Sequence, residues 1–169
     1  KLNNLKQAAK TMNFLTEHGI SSYRELENKL TAVSARRDTA HAEIKRIESR
    51  SAELALVMKH AGTYRQLKPL YDRYRKSNDK EKFLRGHESE IILFEAAARE
   101  LKRLGAVPLP TTESMKTELA NLSAEKERLL AEYKTARTEA QEYDTVKQNV
   151  DALLTVPKEQ EQQRRHELE

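Results

Sequence analysis

The sequence predicts an all-α fold in which two long helices, at about 22–61 and 112–154, pair as an antiparallel coiled coil. Glycine and proline, which end or interrupt helices, occur only four times each in 169 residues. Charged residues make up 34% of the chain and hydrophobic residues 37%, a balance typical of long amphipathic helices. Both long segments repeat apolar residues at alternating steps of three and four, which is the spacing of a coiled-coil seam.

A shorter helix is predicted at 2–18, before the first long one. Apolar residues recur there at helical spacing, at Leu2, Leu5, Ala9, Met12 and Leu15. Gly19 follows and readily adopts the left-handed backbone angles that end many helices. The phrase Ser22-Tyr-Arg-Glu25 has the form of a capping box, so it predicts where the next helix begins.

The first long helix is predicted to carry about five heptads of apolar residues. Its seam consists of Tyr23, Leu26, Leu30, Val33, Ala40, Ile44, Ile47, Leu54 and Met58. Arg37 and Ser51 interrupt the seam. A charged residue at such a position pairs with an acidic flank, sets the register, or extends its charged end into water, and the last is favoured. Gly62 is the predicted end of this helix.

Two further short helices are predicted at 63–76 and 80–104. Pro69 marks a start or a kink in the first of them, and Ser77-Asn78-Asp79 forms the turn that separates the two. Gly86 is expected to disturb the first turns of the second helix. The apolar face of that helix consists of Phe83, Ile91, Ile92, Phe94, Ala97, Ala98 and Leu101.

The second long helix follows a stiff connector. Gly105 ends the preceding helix, and Val107-Pro-Leu-Pro110 cannot be helical. Thr111 or Thr112 then caps the new helix. Lys126 interrupts its apolar seam, which consists of Met115, Leu119, Leu122, Leu129, Tyr133, Ala136, Ala140, Tyr143, Val146, Val150 and Leu153.

The ends of the chain differ in composition from its middle. Thr155-Val156-Pro157 is expected to end the second long helix, and the Gln-, Glu- and Arg-rich tail at 156–169 is expected to be disordered. Residues 1–155 are therefore predicted to form a single helical domain. The chain opens at Lys1 inside a helical pattern and closes on Leu168-Glu169, a pair often left at a vector junction. We therefore expect an excised part of a larger protein.

The two long helices have similar lengths and are separated by a shorter helical insert, which favours an antiparallel hairpin within one chain. A parallel pair would require the insert at 62–111 to return over about 60 Å, because a helix rises 1.5 Å per residue. A compact insert of two helices only just covers that distance. A homodimer that pairs the same seams between two chains is the alternative.

The sequence predicts no catalytic, metal-binding or cofactor-binding residues in this chain. It contains no cysteine, which excludes thiol nucleophiles and thiolate zinc ligands. Its glycines are isolated, so they do not form a phosphate-binding loop. The histidines lack the spacing of a zinc-binding motif; they are His18, His41, His60, His87 and His166. We therefore expect that the chain is not an enzyme and uses no cofactor.

The chain shows no sign of insertion into or transport across a membrane. No apolar run approaches the roughly 20 residues that cross a bilayer, and no signal peptide is visible at its start. The absence of cysteine is compatible with a cytoplasmic protein. We therefore expect a cytoplasmic location.

The most basic part of the chain is the segment 63–85, which carries eight Lys or Arg against three Asp or Glu. Aromatic and cationic residues alternate in it, and this pattern can stack on bases and contact phosphates. The candidate nucleic-acid-binding residues are Arg65, Lys68, Arg73, Arg75, Lys76 and Lys80.

The same segment has a second, structural interpretation, which is favoured. Tyr64, Leu67, Leu70, Tyr71 and Tyr74 fall at three- and four-residue steps, as the buried stripe of a small helix would. The cations then form its solvated face. A basic face remains in either interpretation.

Several phrases of the sequence are informative in combination. Residues 8–26 read AAKTMNFLTEHGISSYREL, in which Gly-Ile-Ser-Ser-Tyr-Arg-Glu-Leu leads into the first long helix. The further phrases are TYRQLKPLYDRYRKS at 63–77, KEKF at 80–83, HESEI at 87–91 and AAAREL at 96–101. Over roughly 5–155 they resemble the region that follows the nuclease domain in relaxases. Relaxases are the mobilisation nucleases of conjugative and mobilisable elements, and the resemblance is to those of Gram-positive bacteria especially.

The resemblance implies that this chain is the non-catalytic C-terminal region of a relaxase. Relaxases nick one strand at the transfer origin with a tyrosine nucleophile and a metal held by a histidine cluster. Neither motif is present in this sequence, so no site residue is transferred. The implied partners are DNA through the segment 63–85, proteins of the transfer machinery, or a second copy of the chain. The alternative is a purely structural coiled-coil spacer or dimerisation module, which the heptads alone support.

Overall fold

The computed structural model describes the backbone of residues 2–166 and the side chains of residues 4–155. It contains four helices, α1 (Leu2–Glu17), α2 (Tyr23–Lys76), α3 (Lys80–Arg103) and α4 (Thr112–His166). No strand occurs within the described range, so the all-α prediction is confirmed.

The chain divides into two compact units. The first consists of Lys1–Glu43 together with Arg128–Glu169, and the second of Ile44–Glu127. The two long helices, α2 and α4, each contribute to both units, whereas α1 belongs to the first and α3 to the second. The single domain expected over 1–155 stays a prediction.

In the first unit, α2 and α4 are paired antiparallel through their apolar seams. Tyr23 Oη donates a hydrogen bond to Asp151 at 2.6 Å, and Arg36 forms an ion pair with Glu139 at 2.5 Å. Residue numbers therefore increase along α2 while those of their partners decrease along α4, as in an antiparallel pair. The buried cluster between them consists of Ile20, Leu26, Val33, Ala140, Tyr143 and Val146. The predicted antiparallel pairing is confirmed here, and so are the seams, except at their ends: Tyr23 and Leu153 are 37% and 46% exposed.

The contact between Tyr23 and Asp151 also makes this end of the pairing sensitive to acid. The hydrogen bond from Tyr23, with a second from Lys147, lowers the pKa of the Asp151 carboxyl below its ordinary value of 3.8. A carboxyl whose pKa is lowered by folding stabilises the fold at neutral pH. That contribution is lost as the pH falls below the ordinary value toward the lowered one.

The packing of α1 does not follow its apolar spacing. Leu5 and Met12, which belong to that spacing, are 70% and 58% exposed, whereas Thr11 is 2% exposed. The side-chain amide of Asn149 on α4 donates to Thr11 Oγ1 at 3.2 Å. Phe14 packs edge-on against Tyr143 at 5.3 Å between ring centroids, and this contact orients α1 so that the polar Thr11 faces α4.

In the second unit, α2 and α4 are again antiparallel, and α3 packs beside them. Glu48 and Arg50 of α2 pair with Lys126 and Glu118 of α4, at 3.0 and 2.7 Å. The buried cluster consists of Leu54, Val57, Ala61, Leu101, Ala106 and Met115. Lys126, which interrupts the predicted seam, therefore finds an acidic partner across the helix pair. Such exposed pairs typically contribute only about 0–1 kcal/mol, so burial of the apolar seam stabilises the pairing more than they do.

The inward face of α3 agrees with the prediction except at one position. Ile91, Phe94, Ala97 and Leu101 are buried, but Ile92 is 55% exposed. Consecutive helical residues point about 100° apart, so a helix that buries Ile91 turns its neighbour toward solvent. The expected disturbance near Gly86 is present, because the next residue, His87, has non-helical angles (φ −141°, ψ 26°).

α2 does not end at Gly62, and Pro69 neither starts nor breaks a helix. The predicted helices 22–61 and 63–76 are one continuous helix. Gly62 lacks the positive φ of a helix-ending glycine, and Ala61 beside it is fully buried in the second cluster. Tertiary packing on both sides therefore outweighs the cost of about 1 kcal/mol that glycine imposes inside a helix. Pro69 removes one amide donor, and the carbonyl freed by that loss belongs to the exposed Arg65.

α4 likewise continues past its predicted end. It runs through Thr155-Val156-Pro157 to His166, so the expected helix end is wrong, and the residues expected to form a disordered tail are helical as far as His166. Leu153 and Leu154 are exposed, so water reaches the carbonyl that Pro157 leaves without a donor. The dipeptide Leu168-Glu169 lies outside the described residues.

The predicted helix ends at the two other glycines and at the caps are confirmed. Gly19 and Gly105 have φ of 62° and 69°, and each follows the last turn of a helix. Thr111 Oγ1 accepts a hydrogen bond from the Ser114 amide at 3.1 Å and caps α4. At the start of α2 the Glu25 amide donates to the Ser22 hydroxyl, as predicted, while the Glu25 carboxylate interacts more strongly with Ser21 than with the Ser22 amide.

Replacing Leu26 by Ala should destabilise the chain by about 2–5 kcal/mol. Leu26 is 1% exposed in the first cluster, so truncation removes buried apolar contacts and leaves a cavity. Urea unfolding followed by circular dichroism at 222 nm measures the change. Leu5→Ala in the same unit is the matched control, with an expected effect below about 0.5 kcal/mol because Leu5 is exposed. Equal effects of the two substitutions would contradict this packing.

Replacing Gly62 by Ala should stabilise the chain by about 0.5–1 kcal/mol. The added methyl group meets nothing within 4 Å, and alanine favours the helical backbone that Gly62 already has. Gly105→Ala is the opposite control, because its φ of 69° costs a non-glycine residue about 1–2 kcal/mol. Thermal unfolding should show shifts of opposite sign. A loss of stability in Gly62→Ala would show that α2 ends there after all.

Candidate nucleic-acid interface

All six candidate binding residues lie where α2 ends and α3 begins, within the second unit. Every one of them is exposed. Five belong to the last three turns of α2, and Lys80 is the first residue of α3. The turn of 77–79 joins the two helices, and Asp79 caps α3 by accepting the Lys82 amide at 3.0 Å. Sequence neighbours on two helices are thereby held on one exposed turn.

The tyrosines of the segment pack on α3. Tyr64 and Tyr71 both stack on Phe94 of α3, with ring centroids 4.8 and 4.2 Å away. Tyr74 lies against Phe83 at 6.1 Å. Tyr71 and Tyr74 are half-buried, as is Tyr64, while Phe94 is buried. These side chains behave as the buried stripe that the three- and four-residue spacing indicates.

Arg65 has a structural contact. Its guanidinium donates to the Thr112 hydroxyl at 2.7 Å and to the Pro110 carbonyl. Pro110 belongs to the connector that leads into α4, and Thr112 is the first residue of α4. Arg65 therefore fastens this connector to α2, and its charge is already directed at protein oxygens.

Lys68 is also paired. Its ammonium donates to both carboxylate oxygens of Asp72, one turn later, at 3.0 and 2.9 Å. This hydrogen bond raises the pKa of the Lys68 ammonium above its ordinary value. Both side chains are about half exposed, so the pair is screened by water. Lys68 with Asp72 contributes no net charge to the surface.

The other four candidates have no such partners. No hydrogen bond or ion pair to another side chain involves Arg73, Arg75, Lys76 or Lys80 within the part of the chain whose side chains the structure describes. We call these four residues the basic turn. Arg73 and Lys76 are three positions apart and share one side of α2, and Lys80 follows across the connecting turn.

Two further cations extend the basic turn along α3. Lys82 and Arg85 are exposed, and Arg85 makes only a long contact of 3.8 Å with Glu81 on the same exposed surface. The candidate residues chosen from sequence omit both. The charge count over 63–85 includes them, so net charge is the signal that could have identified them.

The described residues carry little sign of other chemistry. No group of three or more potential metal-ligating side chains comes together among them. Within the same part of the chain, no helix has the length and apolar character that a bilayer crossing needs.

Comparison with known proteins gives no match. No protein-family model, no curated protein and no solved structure is significantly similar to this chain. Any function proposed for the chain therefore depends on its own residues and their geometry, together with the phrases that resemble relaxases.

Replacing Arg65 by Ala should lower the melting temperature by about 2–4 °C, which corresponds to about 1 kcal/mol. The substitution removes the hydrogen bonds that hold the connector at Pro110 and Thr112. Arg137→Ala is the matched control and should leave the melting temperature unchanged, because Arg137 is exposed inside α4, far from a helix end, and has no side-chain partner among the described residues. Differential scanning calorimetry distinguishes the two. Equal melting temperatures would show that Arg65 has no structural role.

Proposed function

We propose that this chain is a non-catalytic helical accessory domain of a relaxase and that it engages DNA through the basic turn. The observation that carries the proposal is the cluster of four exposed cations without protein partners at the junction of α2 and α3. The phrases at 8–26 and 63–77 supply the link to relaxases. Neutralisation of DNA phosphates by such cations releases condensed counterions, which drives binding.

Helix stability explains only part of this cluster. The negative end of the α2 dipole favours cations in its last turn, where Arg73, Arg75 and Lys76 lie. Lys80 occupies the first turn of α3, where the positive end of that helix's dipole disfavours a cation. The position of Lys80 and the mutual repulsion of the neighbouring cations both lower the stability of the protein when no partner is bound. An anionic partner removes both penalties.

The paired cations make the proposal more specific. Asp72 neutralises Lys68, and the donors of Arg65 are used by Thr112 and Pro110, so neither side chain is free to contact a phosphate directly. The basic turn instead has its full charge available. DNA binding should therefore depend on Arg73, Arg75 and Lys76 more strongly than on Arg65 or Lys68.

A second candidate function is a structural spacer or dimerisation module. The observation that favours it is the adjacent pair Ile92 and Leu93 on α3, each 55% exposed. Apolar side chains that face solvent together suit a protein partner, either a second copy or a component of the transfer machinery. Sedimentation velocity over a range of concentrations tests it, because Ile92→Ser with Leu93→Ser should then weaken association without lowering helicity.

The DNA-binding proposal predicts a steep dependence on salt. Fluorescence anisotropy of labelled DNA should show binding to the 169-residue chain that weakens at least tenfold between about 50 and 200 mM salt. Arg73→Ala, Arg75→Ala and Lys76→Ala in one variant should weaken binding by at least about tenfold at the lower salt, because three phosphate contacts are lost.

A second triple variant controls for net charge. Lys59→Ala, Lys102→Ala and Lys116→Ala remove the same three charges from exposed positions of the same unit, outside the basic turn. This variant should bind within about threefold of the original chain if local contacts dominate. The proposal is contradicted if no binding occurs at the lower salt, or if both triple variants lose binding equally.

A further inference from the structure

The structure separates the two kinds of side chain that alternate in the basic segment. Tyr64 and Tyr71 are stacked on the buried Phe94, and Tyr74 packs against Phe83. The rings therefore face α3, whereas the cations of the basic turn face solvent. A sequence in which aromatic and basic residues alternate thus becomes a helix whose aromatic side is half-buried against α3.

This separation decides what the basic turn is able to contact. Proteins that bind single strands place aromatic faces in the open, where successive bases stack on them. Here Phe94 already occupies one face of Tyr64 and of Tyr71, with ring centroids 4.8 and 4.2 Å away, and a base that stacked on that face would have to displace it. The cations need no such rearrangement to reach a phosphate.

We infer that the basic turn binds the phosphate backbone of duplex DNA without regard to sequence, and does not stack on single-stranded bases. This inference rests on the proposed function, because it specifies the form of DNA that the same residues engage. Duplex DNA is the preferred form because it presents about one charge per 1.7 Å of axis, denser than a single strand.

The salt dependence gives the number of phosphates engaged. Four cations on four phosphates give a slope of log affinity against log salt of about −3.6 for a duplex. The triple variant at Arg73, Arg75 and Lys76 should reduce the magnitude of this slope, to about −0.9. Two duplexes of equal length and unrelated sequence should bind within about twofold of each other, and a single strand of that length should bind more weakly.

The role of the rings is tested by Tyr74→Leu, with two controls on folding. Tyr74 has the longest of the three ring contacts with α3, so its replacement disturbs the packing least. Circular dichroism and thermal unfolding establish that the variant folds, and its affinity for single-stranded and duplex DNA should stay within about twofold of the original. A second measurement needs no variant: ¹⁹F spectra of the chain labelled with 3-fluorotyrosine should keep their tyrosine shifts when single-stranded DNA is added.

The outcomes distinguish this inference from the function on which it rests. Tighter binding of the single strand, a loss of affinity in folded Tyr74→Leu, or tyrosine shifts that move on binding would overturn the inference and leave DNA engagement in place. Absence of binding to both forms at about 50 mM salt would overturn the proposed function itself. Sequence-independent duplex binding with an unchanged Tyr74→Leu variant supports both.

Discussion

The pairing of α2 with α4 along their apolar seams is the interaction on which each unit depends. In the first unit it buries Leu26 and Val33 against Tyr143 and Val146, and α1 adds its contacts to that surface. In the second, α3 packs on a cluster that α2 and α4 already form. Long helices rich in charge gain little from propensity alone, since most helical stability in proteins comes from a packed apolar face. The cross-helix ion pairs are exposed and secondary to that burial.

The same packing determines where the candidate interface lies on the second unit. Because α2 continues through Gly62 and Pro69, Arg73 and Lys76 lie on a long helix and not on a separate short one. Phe94 of α3 holds this last part of α2 through the stacked rings of Tyr64 and Tyr71. A rigid, charged end of this kind holds its cations in place before a partner binds, which lowers the ordering cost of association.

The alternation of aromatic and basic residues illustrates how one pattern serves two purposes. Tyr64, Tyr71 and Tyr74 stabilise the second unit, while the cations between them remain on its surface. Arg65 shows that an exposed cation is not always free, because it fastens the connector before α4. The set of cations in the segment without a side-chain partner among the described residues is accordingly smaller than its charge suggests, and it consists of Arg73, Arg75, Lys76 and Lys80.

The sequence by itself determined the all-α class, both seams, the antiparallel pairing and the helix ends at Gly19 and Gly105, because these follow from periodicity and from local backbone preferences. It also located the basic segment, since charge is a property of composition. Only the tertiary structure decided that α2 passes Gly62, because the gain from burying Ala61 and its neighbours exceeds the local cost of glycine. It likewise decided that Thr11 faces inward while Leu5 does not, and which cations are already paired. Apart from the pair of Lys68 with Asp72, those outcomes depend on residues distant in sequence, at Asn149, Pro110 and Leu101, which no local pattern contains.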